Sequence, residues 1–241
     1  MNLVIPLAGK DPHFEKVFKP FIKIDGSCLI EHVVRQHDLD KINQLIFIVL
    51  REHEKKYRVS QKLKDIFSTK ATVCVLDELT RGSPCSIIEA AGDLINNKED
   101  LLIDLGDVIR ELSSLYRNIK NIKRGVRGII PVDKKLLRDR RWGYIYLNKN
   151  GYARYLHEKT LKPRSQLATT GLYYFSHGCD FIWAAKKMIK NYHYMFRNNF
   201  FTGPCYNELI RNKKKVIVSY NPIKYLVLYP KDIKTYINNI V

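Results

Sequence analysis

The sequence predicts an α/β chain of three layers, with helices covering both faces of a mixed, mainly parallel central sheet. Three observations carry that expectation. In the first half, apolar runs of strand length alternate with segments of helical periodicity. The runs are apolar nearly throughout, as in Leu45-Ile46-Phe47-Ile48-Val49-Leu50, the pattern of strands covered on both faces. No linker, repeat or low-complexity segment divides the 241 residues, so 1–241 reads as a single domain with one half to about residue 125 and another from about 126.

Strands are expected at 2–7, 45–50, 72–76 and 100–104, with helices at about 28–39, 54–66 and 85–96 between them. In the first helix Leu29, Ile30, Val33 and Val34 share one face, and Ser27 stands where an N-cap belongs. This β-α-β order implies parallel pairing with right-handed crossovers. After residue 125 strands dominate, at 127–131, 143–148, 152–157 and 169–176. Asn148-Lys149-Asn150-Gly151 is a hairpin turn between two of them. Helices at about 180–190 and 205–212, strands at 215–219 and 224–228, and a last helix from Pro230 complete the chain.

The net charge of +18 points to an anionic ligand, whether nucleotide, phosphosugar, nucleic acid or anionic membrane. A lysine-coated surface accounts for the same charge with no ligand at all. The basic residues are spread along the chain, with local runs at Lys134-Lys135, Arg138, Arg140-Arg141 and Lys213-Lys214-Lys215. No RNP-type or helix-turn-helix pattern accompanies them, so no nucleic-acid partner is expected. No run of about 18 apolar residues occurs and the N-terminus lacks the pattern of a signal peptide, so no membrane insertion is expected. Cys28, Cys74, Cys85, Cys179 and Cys205 are scattered and never in C-x-x-C spacing. They read as reduced thiols of a cytoplasmic protein with no zinc site.

The first strand ends in Leu7-Ala8-Gly9-Lys10, a small-residue turn at the place where open α/β sheets bind ligands. Backbone N–H groups there, with Lys10 and Lys19 near, suit phosphates. Asp107 follows an apolar strand and a glycine, a natural position for a Mg²⁺ ligand. Its plain alternative is an aspartate opening a helix near Val108-Ile109-Arg110, and Asp104, earlier in the strand, is less suited to metal. Gly82 and Ser83 would let backbone approach a base, with Glu78 orienting the turn, and the helix after Pro84 and Ser86 would turn its N-terminus to the site. The alternative there is an ordinary strand-to-helix turn. For Lys159, with Lys162 and Arg164, it is a solvated basic loop.

The segments Ile5-Pro6-Leu7-Ala8-Gly9-Lys10-Asp11-Pro12-His13-Phe14 and Phe18-Lys19-Pro20-Phe21-Ile22-Lys23-Ile24-Asp25-Gly26 resemble the signature of the sugar-phosphate nucleotidyltransferases. The resemblance continues in order through Glu78-Leu79-Thr80-Arg81-Gly82, Leu101 to Asp107, Trp142-Gly143-Tyr144-Ile145 to His157-Glu158-Lys159, Thr170-Gly171-Leu172-Tyr173-Tyr174-Phe175 and Gly203-Pro204-Cys205-Tyr206-Asn207-Glu208-Leu209-Ile210. It covers residues 2 to about 210 and resembles the small members of the family, which act in surface-polysaccharide precursor pathways. It implies a Rossmann-like nucleotide-diphospho-sugar transferase fold. The implied reaction moves a nucleoside monophosphate from an NTP, with a slight lean to a pyrimidine, onto a phosphorylated sugar or similar small phosphorylated acceptor, and releases pyrophosphate. By the same resemblance Lys19, His13 and Lys10 stand at catalytic positions. Leu7, Ala8, Gly9, Lys10, Lys19, Glu78, Gly82 and Ser83 would bind nucleotide, Glu158, Lys159 and Gly171 the acceptor, and Asp107 Mg²⁺.

The chain departs from the family pattern at three places. Asp11 stands where a second loop glycine is usual, which would set a side chain and a negative charge against a triphosphate. His13 stands where the family has an arginine, and histidine lacks that fork and is mostly neutral at pH 7; Lys10 or Lys16 could supply the missing charge. The Gly-Thr-Pro-Glu-Asp segment is replaced by Lys224-Tyr225-Leu226-Val227-Leu228-Tyr229-Pro230-Lys231-Asp232, with no carboxylate before Pro230, so the second metal ligand is unidentified. A catalytically impaired nucleotide- or sugar-nucleotide-binding protein on the same fold is the alternative. A glycosyltransferase would need Asp-x-Asp, and Asp104-Leu105-Gly106-Asp107 has one residue too many. A homo-oligomer is one of the open assembly states.

Overall fold

The chain begins with β1 (Asn2–Pro6), whose side chains alternate between two cores: Val4 joins one, Leu3 and Ile5 the other. That alternation is why an unbroken apolar run forms a strand here and not a half-exposed one. The computed structural model describes residues 1–134, 139–160 and 162–240, so Lys135 and Arg138 of the basic runs lie outside the described residues.

A loop with two short 3-10 turns, Pro12–Phe14 and Lys19–Phe21, leads to the hairpin β2 (Lys23–Ile24) and β3 (Ser27–Cys28). Asp25 and Gly26 turn it with φ of 45° and 76°, the left-handed pair that a two-residue hairpin requires. Then come α1 (Leu29–Arg35), β4 (Gln44–Leu50), α2 (Arg51–Tyr57), α3 (Val59–Phe67), β5 (Ala71–Leu76), α4 (Ser83–Ile95), β6 (Leu101–Asp104), β7 (Val108–Arg110) and α5 (Ser113–Lys120). The second half holds β8 (Val126–Lys134), β9 (Gly143–Leu147), β10 (Ala153–Glu158), β11 (Leu167–Thr169), β12 (Leu172–Phe175), α6 (Gly178–Ile189), α7 (Cys205–Arg211), β13 (Lys215–Tyr220), β14 (Ile223–Leu226) and α8 (Pro230–Ile240).

The central sheet runs β10-β9-β11-β8-β12-β6-β1-β4-β5, with β13 also on β8. It is mixed. The pairs β6–β1, β1–β4 and β4–β5 are parallel, as is β13–β8, and the remaining pairings through β12, β11, β9 and β10 are antiparallel. In this sheet the first half pairs only in parallel within itself, with helices at the crossovers, and the second half adds the parallel pair β13–β8 to its antiparallel ones. One core packs α4, α6 and α7 against one face, and the other packs α1, α3, α5 and α8 against the opposite face, which gives the three layers. Among the described residues no helix is long and apolar enough to cross a membrane.

Several local expectations change. Ser27 lies in β3 and its hydroxyl accepts from Arg35; α1 is instead started by Glu31, whose carboxylate accepts the Cys28 N–H at 2.6 Å. The helix expected at 54–66 is two helices, broken where Arg58 turns left-handed at φ 50°. The strand expected at 169–176 is broken at Gly171, φ 76°. Residues 108–110 form a strand on β14, so Asp107 does not open a helix. The hairpin at Asn148–Gly151 is present, with Asn148 Oδ1 accepting from the N–H groups of Asn150 and Tyr152.

Candidate functional site

Because β1, β4, β5 and β6 are parallel, the loops that follow them open on one edge of the sheet. Two of those loops meet. Lys19, first residue of the second 3-10 turn, reaches across so that its ammonium lies 2.5 Å from Asp107 Oδ1 and 3.9 Å from Asp11 Oδ2. The Phe14 ring lies 5.8 Å below the same ammonium. Lys19 is 16% exposed, Asp11 32% and Asp107 35%, so all three sit in a wall and not on the outer surface. They line a cavity of about 650 Å³ together with Leu7, Gly9, Lys10, Phe18, Glu52, His53 and Tyr57.

The loop does not fold by a positive-φ glycine turn. Gly9 has no positive φ, and a Cβ there would meet nothing within 4 Å, so the protein's own packing does not demand glycine. The open space is what a closely approaching ligand would need. The fold of the loop comes from Asp11. At φ −112° it is unstrained; its Oδ1 accepts the His13 N–H at 3.0 Å and its carbonyl accepts the Phe14 N–H at 3.0 Å. A side chain at this position therefore brings no backbone strain.

The other N-terminal candidates divide. Ala8 is core, with 3% exposed. Lys10 pairs with Glu52 at 3.1 Å at the half-exposed rim. His13 is not part of the cavity wall; its ring packs edge-on against Tyr229 at 4.9 Å. Lys16 does not line the cavity either, whereas Lys10 does. His53 is pushed below the ordinary histidine range by burial, with Glu52 pulling the other way.

At the end of β5, Glu78 is exposed. Gly82 has a reason for being glycine that lies in the protein itself: at φ 109°, a Cβ would fall 2.1 Å from the Phe200 carbonyl oxygen. The Phe200 N–H donates to Arg81 O at 2.8 Å, and Ser83 Oγ lies 2.9 Å from Thr202 Oγ1. The turn expected to face a base is thus also clamped to the 200–202 segment. Neither Gly82 nor Ser83, nor Glu158, Lys159 or Gly171, lines the cavity described above.

Gly171, φ 76°, accepts the Leu105 N–H at 2.9 Å, so it flanks the strand end that leads to Asp107. Lys159, left-handed at φ 55°, donates to Arg141 O at 2.5 Å and pairs with Glu158 Oε1 at 3.2 Å, its ammonium 5.0 Å from the Phe201 ring. It is a held side chain, not a solvated one. Glu158 Oε2 is buried with no hydrogen-bond partner, and a Cβ at Gly143 would come within 2.6 Å of it. Burial pushes the Glu158 carboxyl above the usual range, with Lys159 opposing. A carboxyl with a raised folded pKa favours the folded state more as pH falls through that pKa. The wild-type melting temperature is therefore expected to gain on that of Glu158→Gln as pH drops from 8 toward the ordinary glutamate range; parallel curves would show that Glu158 titrates normally.

Two placements go beyond the sequence reading. The segment after β14 runs beside the site: the Val227 N–H donates to Asp107 O at 3.0 Å, and Tyr229 touches His13. Arg141 is gripped by Asp139 through Nε and Nη2, which holds its guanidinium above its ordinary range, and the Asp232 carboxylate adds to this. Only the run Arg140-Arg141 hinted at it. At the start of α6, His177, Cys179 and Asp180 bring potential ligand atoms within 4.8 Å of one another, although no zinc site was expected. Arg127 already donates to His177 Nδ1 and lies 3.6 Å from Asp180, which places a positive charge where an ion would sit. None of the five cysteines is in a disulfide.

The sequence profile of the Nucleotidyl transferase family matches residues 15–202. No curated protein matches the sequence. Among solved structures, a nucleoside-diphosphate-sugar pyrophosphorylase from Vibrio cholerae RC9 superposes with a TM-score of 0.80 at 19% identity, covering 98% of this chain and 99% of that one. A Bacillus anthracis protein named as a glucose-1-phosphate thymidylyltransferase, in complex with sucrose, superposes with a TM-score of 0.76 at 16% identity, covering 99% and 94%.

Proposed function

The chain belongs to the nucleotidyl transferase family, and from that premise we propose that it joins an NTP to a phosphorylated sugar or similar small phosphorylated acceptor, with Lys19 as the central charged group. The observation that carries the reading is the Lys19–Asp107 contact of 2.5 Å on the wall of the cavity at the carboxyl edge of the parallel strands. The names of the two similar structures, a sugar pyrophosphorylase and a thymidylyltransferase, support the substrate class and make a pyrimidine NTP with a sugar 1-phosphate the first pair to assay.

In the reaction an oxygen of the acceptor phosphate attacks the α-phosphorus of the NTP. The bond from that phosphorus to the bridging oxygen breaks, and its electron pair leaves with pyrophosphate. Lys19 would bind the departing charge, in the way preorganised cations stabilise charge that develops in a transition state. Open backbone at Gly9 would admit the phosphates. Lys159, fixed by Arg141 O and Glu158, would hold the acceptor phosphate, and Gly171 would keep the Asp107 strand end in place. Residues of about 1–125 serve the nucleotide and those of about 126–241 the acceptor. A supply of NTP and phosphorylated sugar implies a cytoplasmic setting. Mg²⁺ fits the donors present: Asp107 is a hard oxygen ligand, partly exposed, and already coordinates a cationic group. When bound, Mg²⁺ would neutralise phosphate oxygens there.

The test is pyrophosphate release with each of four NTPs and a pool of sugar 1-phosphates and other small phosphorylated acceptors. Release is expected with one NTP, only when acceptor and Mg²⁺ are both present, and EDTA is expected to abolish it. Stabilisation by a nucleotide without release from any pool would replace transfer by binding alone.

A further inference from the structure

We propose that Asp11 is the second carboxylate of the divalent-cation site, sharing it with Asp107, and that Lys19 holds the place of the ion in the unliganded protein. The proposal deepens the reading above and rests on it for the identity of the ion. No carboxylate immediately precedes Pro230 to share the ion: the segment beside Asp107 presents Val227, fully buried, with its N–H on Asp107 O. Asp232, further along, spends its Oδ2 on the Tyr229 N–H.

Asp11 is differently placed. Its Oδ1 is used in the loop, accepting from His13, but its Oδ2 faces the same ammonium as Asp107 Oδ1, at 3.9 and 2.5 Å. Two carboxylates around one ammonium leave a net negative charge, which a divalent cation in its place would cancel. Mg²⁺ takes one or two carboxylates and fills its remaining positions with water and phosphate oxygens, so two aspartates complete its usual protein share. The cavity wall agrees. In a chain of net charge +18, it carries four carboxylates, Asp11, Glu15, Glu52 and Asp107, against three lysines. A wall built only for a triphosphate would lean the other way. Asp11 thus replaces a loop glycine with a residue that both folds the loop and brings charge to the metal.

Mn²⁺ alone, titrated into the whole protein without substrates and followed by electron paramagnetic resonance, tests this directly. Asp11→Asn keeps an oxygen for the His13 N–H and removes only the charge. Asp11→Asn and Asp107→Asn are each expected to weaken Mn²⁺ binding at least about tenfold, while Lys19→Met, which removes the competing ammonium, is expected to tighten it by about the same factor. Glu52→Gln, on the same wall but paired with Lys10, is expected to change nothing. Wild-type affinity in Asp11→Asn, no tightening in Lys19→Met, or an equal loss in Glu52→Gln would each overturn the proposal. Because no substrate is present, a chain that binds Mn²⁺ as expected but releases no pyrophosphate would refute the transfer reaction and leave the cation site standing.

Discussion

Lys19→Met is expected to lower kcat/KM for pyrophosphate release by about a thousandfold, with the protein still folded. The ammonium is largely buried, lies in contact with Asp107 and stands over the Phe14 ring, so it is held in one place before any phosphate arrives. Released from Asp107 when the ion binds, it stays at that wall beside the phosphates as charge develops, and removing one such group usually removes two to three orders of magnitude. Stability should change far less, by about 1 kcal/mol or under, because the pair opens to solvent on the Asp107 side. Lys19→Arg is the sharper control. The Pro20 that follows and the close Asp107 contact suit a compact ammonium, and a planar guanidinium cannot take the same position. Steady-state kinetics beside a circular-dichroism melt reads both effects. A kcat/KM within tenfold of wild type in a folded Lys19→Met protein would remove Lys19 from catalysis.

How much of this was legible in the sequence depends on the distance over which each feature is determined. β1, β4 and β6 were readable because a strand covered on both faces shows an unbroken apolar run, and nothing outside the run is needed to see it. β7 was not. Its three residues are too few for a period, and its partner β14 begins more than a hundred residues later. The break at Arg58 was hidden for a related reason: Glu54 reaches forward to the N–H and hydroxyl of Ser60, a local bond that ends one helix and starts the next inside a single helical pattern. At the site, the resemblance pointed to Lys19 and Asp107 separately; their contact, 88 residues apart, belongs to the fold. Gly82 was visible as a glycine, but the Phe200 carbonyl that requires it was not. Asp11 is the most instructive case. From letters it was a clash with a phosphate loop. In the structure it is the cap that makes this loop, a role open to aspartate because its side chain can replace a backbone acceptor two residues before the N–H it binds.

Asp104→Ala is expected to cost about 3–5 kcal/mol, a fall in Tm of roughly 10 °C for a chain of this size. Asp104 is wholly buried three residues before the proposed metal ligand. Its Oδ2 accepts from Arg110 Nη1 at 2.9 Å, His37 Nε2 at 2.9 Å and Gln36 at 3.2 Å, and its Oδ1 accepts the Gly106 N–H at 2.9 Å. Arg110 is equally buried, with Nη2 on Thr170 O and Nε without a partner. Taking away the carboxylate would strand that guanidinium in the core, and the stranded charge, more than the lost bonds, makes the effect large. Asp104→Ala with Arg110→Met should therefore be more stable than Asp104→Ala alone. The pH dependence has a definite sign. Burial pushes the Asp104 carboxyl up, but Arg110 and His37 outweigh it and hold the folded pKa below the ordinary value of 3.8. A depressed carboxylate contributes fully above its unfolded pKa, and the contribution disappears only as pH falls through the folded one. The stability gap between wild type and Asp104→Ala should not narrow between pH 8 and about 5, and should close only below about pH 4. Denaturant melts across that range measure the gap. A gap already closing at pH 6 would mean that the carboxylate is not held by Arg110, and that the turn carrying Gly106 and Asp107 is supported by something else.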